Sequence, residues 1–319
     1  MTHGYSSASV YFAKILPGLA KHYRIVMFDN MGWGLNSRTE EVGDALESAE
    51  KAENYMLEWW EKLIEALGDT LPSKYYLSGH SAGGAFSMLY ACHHPERLAG
   101  LFLQSPACIE DTTAPDFVYD PYTFRLKDDS AALPSRREVD KMMYKISNKI
   151  HLFSDLYYVP YCVTYRIFKG AIRKLLPRRF FTDEEALAYS EFYSLMIQRL
   201  SKVDVVGLRS VDYFALFNKT LHTKDRMLQD FDFPIATVNG TRDFLGSAEG
   251  AHTIISNNKF HKTGQSQIFK LRNAGHNVFF DDPPELVNMM TGFFNGTTTH
   301  TWDLKPRQEF VPNDADHQD

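Results

Sequence analysis

Lys74-Tyr75-Tyr76-Leu77-Ser78-Gly79-His80-Ser81-Ala82-Gly83-Gly84-Ala85-Phe86-Ser87-Met88-Leu89-Tyr90-Ala91-Cys92 is the stretch whose reading decides the fold. Residues 74–78 are short, aromatic and apolar, as a buried strand is. Residues 84–92 carry apolar side chains at helical spacing, with Phe86, Leu89 and Tyr90 on one face. Between them, Gly79-His80-Ser81-Ala82-Gly83 reads as a G-x-S-x-G turn. Such a turn passes so sharply from strand to helix that side chains at the glycine positions would strike backbone, and it leaves the serine exposed at its tip. The helix stops at His93-His94-Pro95, and Leu98 to Leu103 then supplies another apolar strand before Gln104-Ser105-Pro106. Strand, turn, helix and strand in that order predict an α/β fold with a mostly parallel sheet flanked by helices.

A serine hydroxyl at neutral pH is a poor nucleophile, so Ser81 needs a base to take its proton and a carboxylate to hold that base's tautomer. Both candidates follow in chain order. Phe233-Pro234-Ile235-Ala236-Thr237-Val238-Asn239-Gly240 reads as a strand entered through proline and left through glycine, with Asp243 just beyond it. Ile268 to Leu271 is a short strand followed by Asn273-Ala274-Gly275-His276, and of the twelve histidines only His276 stands behind glycine after a strand in the final third. Functional groups of open α/β sheets gather at the carboxyl ends of the strands, where all three residues are expected to converge. Asp243 also fits a plain turn residue, and Asp281 and Asp282 are the alternative acids. Acyl chemistry further needs amide donors for the oxyanion. The sequence offers Ala82, at the start of a helix, and Tyr5, directly after His3-Gly4.

With 319 residues, 44% of them hydrophobic and 14% aromatic, the chain can bury a large core. A net charge of −6 argues against a general nucleic-acid binder, and no apolar run reaches the roughly 18 residues that span a bilayer. Cys92, Cys108 and Cys162 have neither metal-ligand nor redox spacing. They are expected to be small buried hydrophobes in a reducing, cytoplasmic compartment. His93 and His94 read as solvated residues at a helix end. No metal and no cofactor is expected.

These residues resemble the α/β-hydrolase fold with Ser81, Asp243 and His276 as a triad. Ile25-Val26-Met27-Phe28-Asp29 followed by Asn30-Met31-Gly32-Trp33-Gly34-Leu35-Asn36 is similar to that family's strand ending in D-x-x-G-x-G-x-S, with Asn36 in place of the usual serine. Tyr55 to Leu63 and the spacing His276-x-x-x-x-Asp281 resemble the lipid-acting branch. That branch contains the lysophospholipase for N-acyl phosphatidylethanolamine and the lipid-droplet co-activator of triacylglycerol lipase. The resemblance implies hydrolysis of lipid carboxylic esters. The His276 to Asp281 spacing implies acyl transfer onto lysophosphatidic acid. The co-activator carries asparagine where this chain has Ser81, so the chain sides with the enzymes. A proline-iminopeptidase-like peptidase and a non-enzymatic lipid-droplet scaffold are the alternatives.

About 125 residues separate the strand ending near Ser105 from the one beginning at Phe233, which predicts a helical cap insertion over residues 108–230. The hydrolase core is then expected at residues 1–107 and 231–297, with a disordered acidic tail at 298–319. Glu110 to Arg137 reads as a mobile loop over the site. Residues 156–182 carry six basic side chains and no acidic one. On a helical wheel Phe168, Ala171, Ile172 and Leu175 oppose Arg166, Lys169 and Arg173. With Lys174, these basic residues are candidates for docking anionic lipid at a membrane or lipid-droplet surface; the alternative is a helix packed on the core with a solvated basic face. Finally, Met1 to Tyr5 reads as the end of a strand whose earlier part, with the family's two preceding strands, is missing from these residues. The expectation is an incomplete gene product, whose missing segment could also carry a targeting signal or anchor.

Overall fold

The computed structural model describes residues 1–107 apart from 6, 40, 46 and 48; residues 160, 162, 163, 165, 166, 176 and 180–197; and residues 231–297 apart from 242, 244–250 and 273. Among the described residues four strands form one parallel sheet in the order β1 (Tyr75–His80), β2 (Leu98–Gln104), β3 (Ile235–Gly240), β4 (Gln267–Leu271). The helices are α1 (Leu16–Leu19), α2 (Ala49–Leu67), α3 (Ala82–His93), α4 (Asp183–Ile197), α5 (His252–Asn257), α6 (Val278–Asp281) and α7 (Pro283–Phe294).

Central strands of such a sheet are covered on both faces, so they are apolar runs rather than alternating ones. β2 reads Leu-Ala-Gly-Leu-Phe-Leu-Gln and is buried at every position except Ala99. The helix after the elbow shows the same logic. Phe86, Leu89 and Tyr90 do not define a single inward face, because α3 is buried on all sides from Ala82 to Ala91. It lies between the sheet and α2, whose Met56, Trp60 and Ile64 are buried at the four-residue spacing of one helical face. The Trp60 ring lies 6.3 Å from Phe86 and 6.1 Å from Tyr90.

Thr2 enters the sheet beside β1, bridging Gly79 on one side and Phe28 on the other, both in parallel. Its amide donates to the Ser78 carbonyl at 2.9 Å, and its own carbonyl accepts from the His80 amide at 3.0 Å. Of the strand expected over residues 25–29, Phe28 bridges Thr2, and the Val26 carbonyl accepts from the Met1 nitrogen at 2.7 Å. The turn after it forms tightly. Asp29 accepts from the amides of Ser9 at 2.6 Å and Leu35 at 2.7 Å, and Gly34, at φ +56°, has no room for a Cβ against the Asp29 side chain. Asn36, the departure from the family pattern, serves this turn by donating to the Asp29 carbonyl at 2.5 Å.

Most of the predicted cap, including the Glu110–Arg137 loop, and the predicted tail lie outside the described residues. Within the cap's span, α4 packs on the core. Lys14 pairs with Glu185 at 2.6 Å, and the Tyr189 ring sits 5.6 Å from both Tyr11 and Phe280. Two small expectations are corrected. His94 is not simply solvated: its Nε2 lies 2.6 Å from Glu61 Oε1, and its ring lies 4.8 Å from Tyr90, since the end of α3 abuts α2. Cys92, on the last turn of α3 where the helix leaves the core, is half-buried, and Cys162 is exposed on helical backbone.

Candidate active site

Ser81 stands between the last residue of β1 and the first of α3, with φ 51° and ψ −119°. A non-glycine residue there costs on the order of 1–3 kcal/mol and persists only when its surroundings hold it. They do. The Ser81 amide donates to the Gln104 carbonyl at 3.0 Å, and its carbonyl accepts from the amides of Ala85 at 3.1 Å and Ala107 at 3.0 Å. The elbow glycines are required by close approach: a Cβ on Gly79 would strike the Gly83 backbone and Ser87 Oγ, and one on Gly83 would strike the His3 carbonyl. Ser81 is half-buried, and the Ala82 amide behind it begins α3.

The acid and base candidates come from the next strand ends. Past β3, the Asp243 amide closes a turn on the Gly240 carbonyl at 3.1 Å. Past β4, Ala274 and Gly275, directly before His276, pass so near Gly240 that a Cβ there would strike their carbonyls. His276 Nδ1 meets Asp243 Oδ1 at 3.0 Å; the carboxylate is fully buried and the imidazole 11% exposed. A buried carboxylate can only accept, so Nδ1 carries a proton and Nε2 of the neutral ring keeps its lone pair. Asp281 and Asp282 serve elsewhere. Asp281 Oδ2 accepts from the Gly275 amide at 2.7 Å, clamping the loop one residue before the histidine, and Asp282 caps α7 through the Glu285 amide.

Two buried histidines adjoin this group. His80 Nε2 donates to the His276 carbonyl at 3.0 Å, with its ring edge-on to Phe279 at 4.8 Å. Burial first, then the nearby His276, hold its pKa down at about 3, so His80 is a neutral strut between elbow and base loop. His3 sits against Asn30 on the other side. Asn30, for which the sequence reading had no role, accepts from Thr2 Oγ1 at 3.2 Å and Trp60 Nε1 at 3.1 Å. Its only sequence signal is its place directly after Asp29 in the D-x-x-G-x-G turn. Tyr5 lies edge-on to Trp33 at 5.3 Å, and a Cβ on Gly4 would come within 2.9 Å of Ser81 Cβ, so the His-Gly turn abuts Ser81.

The remaining candidates are less visible. Arg166 is exposed in a helical turn, whereas Lys169, Arg173 and Lys174 lie outside the described residues. Among the described residues no group of three or more His, Cys, Asp or Glu side chains is placed to hold a metal, and no helix is long and apolar enough to cross a membrane. A cavity of about 600 Å³ lined by Val26, Tyr75, Leu77 and Met290 flanks the amino-terminal half of β1, away from the strand ends that carry Ser81, Asp243 and His276.

A parallel sheet, a strained serine on the strand-to-helix turn and an acid–histidine pair at later strand ends define a class of fold. The family model for the alpha/beta hydrolase fold matches residues 1–283, and the chain belongs to that family. Among individual relatives, a probable 1-acylglycerol-3-phosphate O-acyltransferase of Oryza sativa subsp. japonica is 32% identical over 113 residues, 35% of this chain. The match spans only 26% of the rice protein's length. A monoacylglycerol lipase of Bos taurus is 22% identical over 92% of this chain and 74% of its own. A solved esterase from Thermogutta terrifontis superposes with a TM-score of 0.56 at 17% identity, covering 92% of this chain and 88% of its own.

Proposed function

We propose that this protein is a serine hydrolase of lipid carboxylic esters, of the lysophospholipase or acylglycerol lipase kind, which also passes acyl groups to a lysophosphatidic acid hydroxyl. The observation that carries the reading is the 3.0 Å contact between His276 Nδ1 and the buried Asp243, formed at the strand ends beside a serine held in a strained backbone conformation. Support for the lipid class comes from relatives that bear the names of an acylglycerol-phosphate acyltransferase and a monoacylglycerol lipase.

In this reading Ser81 Oγ attacks the ester carbonyl as His276 Nε2 takes its proton, while Asp243 stabilises the imidazolium that forms. The carbonyl oxygen becomes an oxyanion facing the amides of Ala82 and Tyr5. Collapse breaks the bond to the alcohol, which leaves with the proton from His276, and the acyl group stays on Ser81. Water or the acceptor hydroxyl then attacks the acyl-enzyme, again giving its proton to His276, and the acid or new ester is released. Docking of anionic lipid by Arg166, Lys169, Arg173 and Lys174 brings this site to a membrane or droplet surface.

The test is a fluorophosphonate probe together with a panel of lysophospholipids, monoacylglycerols and long-chain p-nitrophenyl esters, with Ser81→Ala as control. Labelling and turnover in the wild type, both lost in the variant, are expected. Labelling that survives in Ser81→Ala sinks the nucleophile, and activity on prolyl-arylamides but not on esters sinks the substrate class.

A further inference from the structure

The His3 ring is fully buried, and its two nitrogens have different partners. Nε2 lies 3.0 Å from the backbone amide of Asn30, which can only donate, so Nε2 is the acceptor. Nδ1 lies 2.8 Å from the Gly4 carbonyl, which can only accept, so Nδ1 carries the proton. The surroundings thus select one neutral tautomer. Asn30 also grips the His3 backbone, its Nδ2 donating to the His3 carbonyl at 3.1 Å, and is itself anchored by Thr2 and Trp60. Burial holds the His3 pKa at about 4, against the opposing pull of the Gly4 carbonyl and of Asp29, whose Oδ1 lies 3.7 Å from Nε2.

The consequence follows from peptide geometry. The Gly4–Tyr5 peptide is planar and trans, so its N–H points opposite to its C=O. Holding the Gly4 carbonyl against His3 therefore directs the Tyr5 amide away from His3. Gly4 is also the residue that touches the nucleophile, since a Cβ there would lie 2.9 Å from both Ser81 Cβ and His80 Nδ1.

We propose that His3 is a positioning residue for the oxyanion site: its Nδ1–H, held in that tautomer by the Asn30 amide, fixes the Gly4 carbonyl and so aims the Tyr5 amide at the oxygen that becomes negative when Ser81 attacks. The proposal rests on the reading of Ser81 as the nucleophile. A donor aimed at the oxyanion acts in the transition state and not on bound substrate. Its loss lowers kcat and leaves KM alone.

The experiment compares wild type with His3→Phe, which keeps the ring and removes both nitrogens, and His3→Asn, which restores a side-chain N–H near the Gly4 carbonyl. Expected for His3→Phe is a fall in kcat of about 10²-fold with KM changed less than about threefold, partly rescued in His3→Asn. A boronic acid that forms a tetrahedral adduct on Ser81 should lose affinity by the same factor as kcat/KM, whereas a non-covalent product acid should bind unchanged. A merely structural loss moves all of these together and overturns the proposal, as does unchanged kcat in His3→Phe. Nitrogen-15 shifts of His3 give an arm independent of activity. A proton on Nε2 of the wild-type ring overturns the latch even in an active enzyme. A wild type that turns over no ester while His3 keeps its proton on Nδ1 overturns the hydrolase reading, and the aiming role falls with it.

Discussion

Lowering the pH from about 7.5 to about 5.5 removes stability from this fold through two residues, His3 and His80, for a reason visible in their surroundings. Both rings are buried, and burial holds them neutral, with values of about 4 and about 3 against 6.5 in the unfolded chain. Between those values and 6.5 the unfolded chain binds protons that the folded protein does not. Their contribution is therefore full above 6.5, declines as pH falls, and is spent near 4 for His3 and near 3 for His80. At pH 5.5 each unfolded histidine gains a little over 1 kcal/mol from protonation, so the pair costs the fold about 3 kcal/mol, a large share of the roughly 5–15 kcal/mol of a typical domain. The window lies above the ordinary range of carboxylates, which keeps acid titration of Asp and Glu out of the difference. Urea unfolding followed by tryptophan fluorescence measures it, with Trp33 buried 6.0 Å from the His3 ring and Trp60 buried against Asn30. A double variant, His3→Asn with His80→Asn, is less stable at neutral pH but should lose about 3 kcal/mol less than wild type over the same pH step. Equal losses in wild type and double variant refute the reasoning.

Asp243→Asn keeps the hydrogen-bonding shape but presents the wrong tautomer to His276, so kcat should fall by about 10⁴-fold with KM nearly unchanged; steady-state kinetics check it, and a loss below tenfold assigns the acid elsewhere. Asp281→Ala frees the Gly275 amide and loosens the histidine loop, so ester hydrolysis and acyl transfer should fall together, by about tenfold. Loss of acyl transfer alone, in a two-product assay, contradicts the clamp. Charge reversal at Arg166, Lys169, Arg173 and Lys174 should abolish sedimentation with anionic liposomes while activity on a soluble short-chain ester persists; undiminished binding removes the docking surface.

The sequence was most informative where chemistry depends on neighbours along the chain. The G-x-S-x-G turn, the strand before it and the helix after it are local, because glycine placement and apolar periodicity act over a few residues. β1 begins one residue later than the apolar pattern of residues 74–78 and ends two residues beyond it, since Gly79 and His80 pair with β2 despite lacking strand-like side chains. The order Ser81, Asp243, His276 was legible for the same reason, each residue being announced by its own strand and glycine. Which of Asp243, Asp281 and Asp282 meets His276 was open along the chain; in space it is Asp243 that lies 3.0 Å from its Nδ1. His276 to Asp281 matches a spacing linked to acyl transfer, yet the carboxylate is turned back onto the Gly275 amide.

By itself, then, the sequence determined the elbow, the parallel sheet and the candidates for a nucleophile and its base, because backbone sterics and hydrophobic period are properties of short segments. Only the tertiary structure decided how the site is held. His3 meets Asn30 across 27 residues and His80 meets His276 across 196, contacts that no local pattern encodes. Burial then does to those histidines what their sequence neighbours cannot: it removes water, suppresses the charged form and selects one tautomer through the partners that remain.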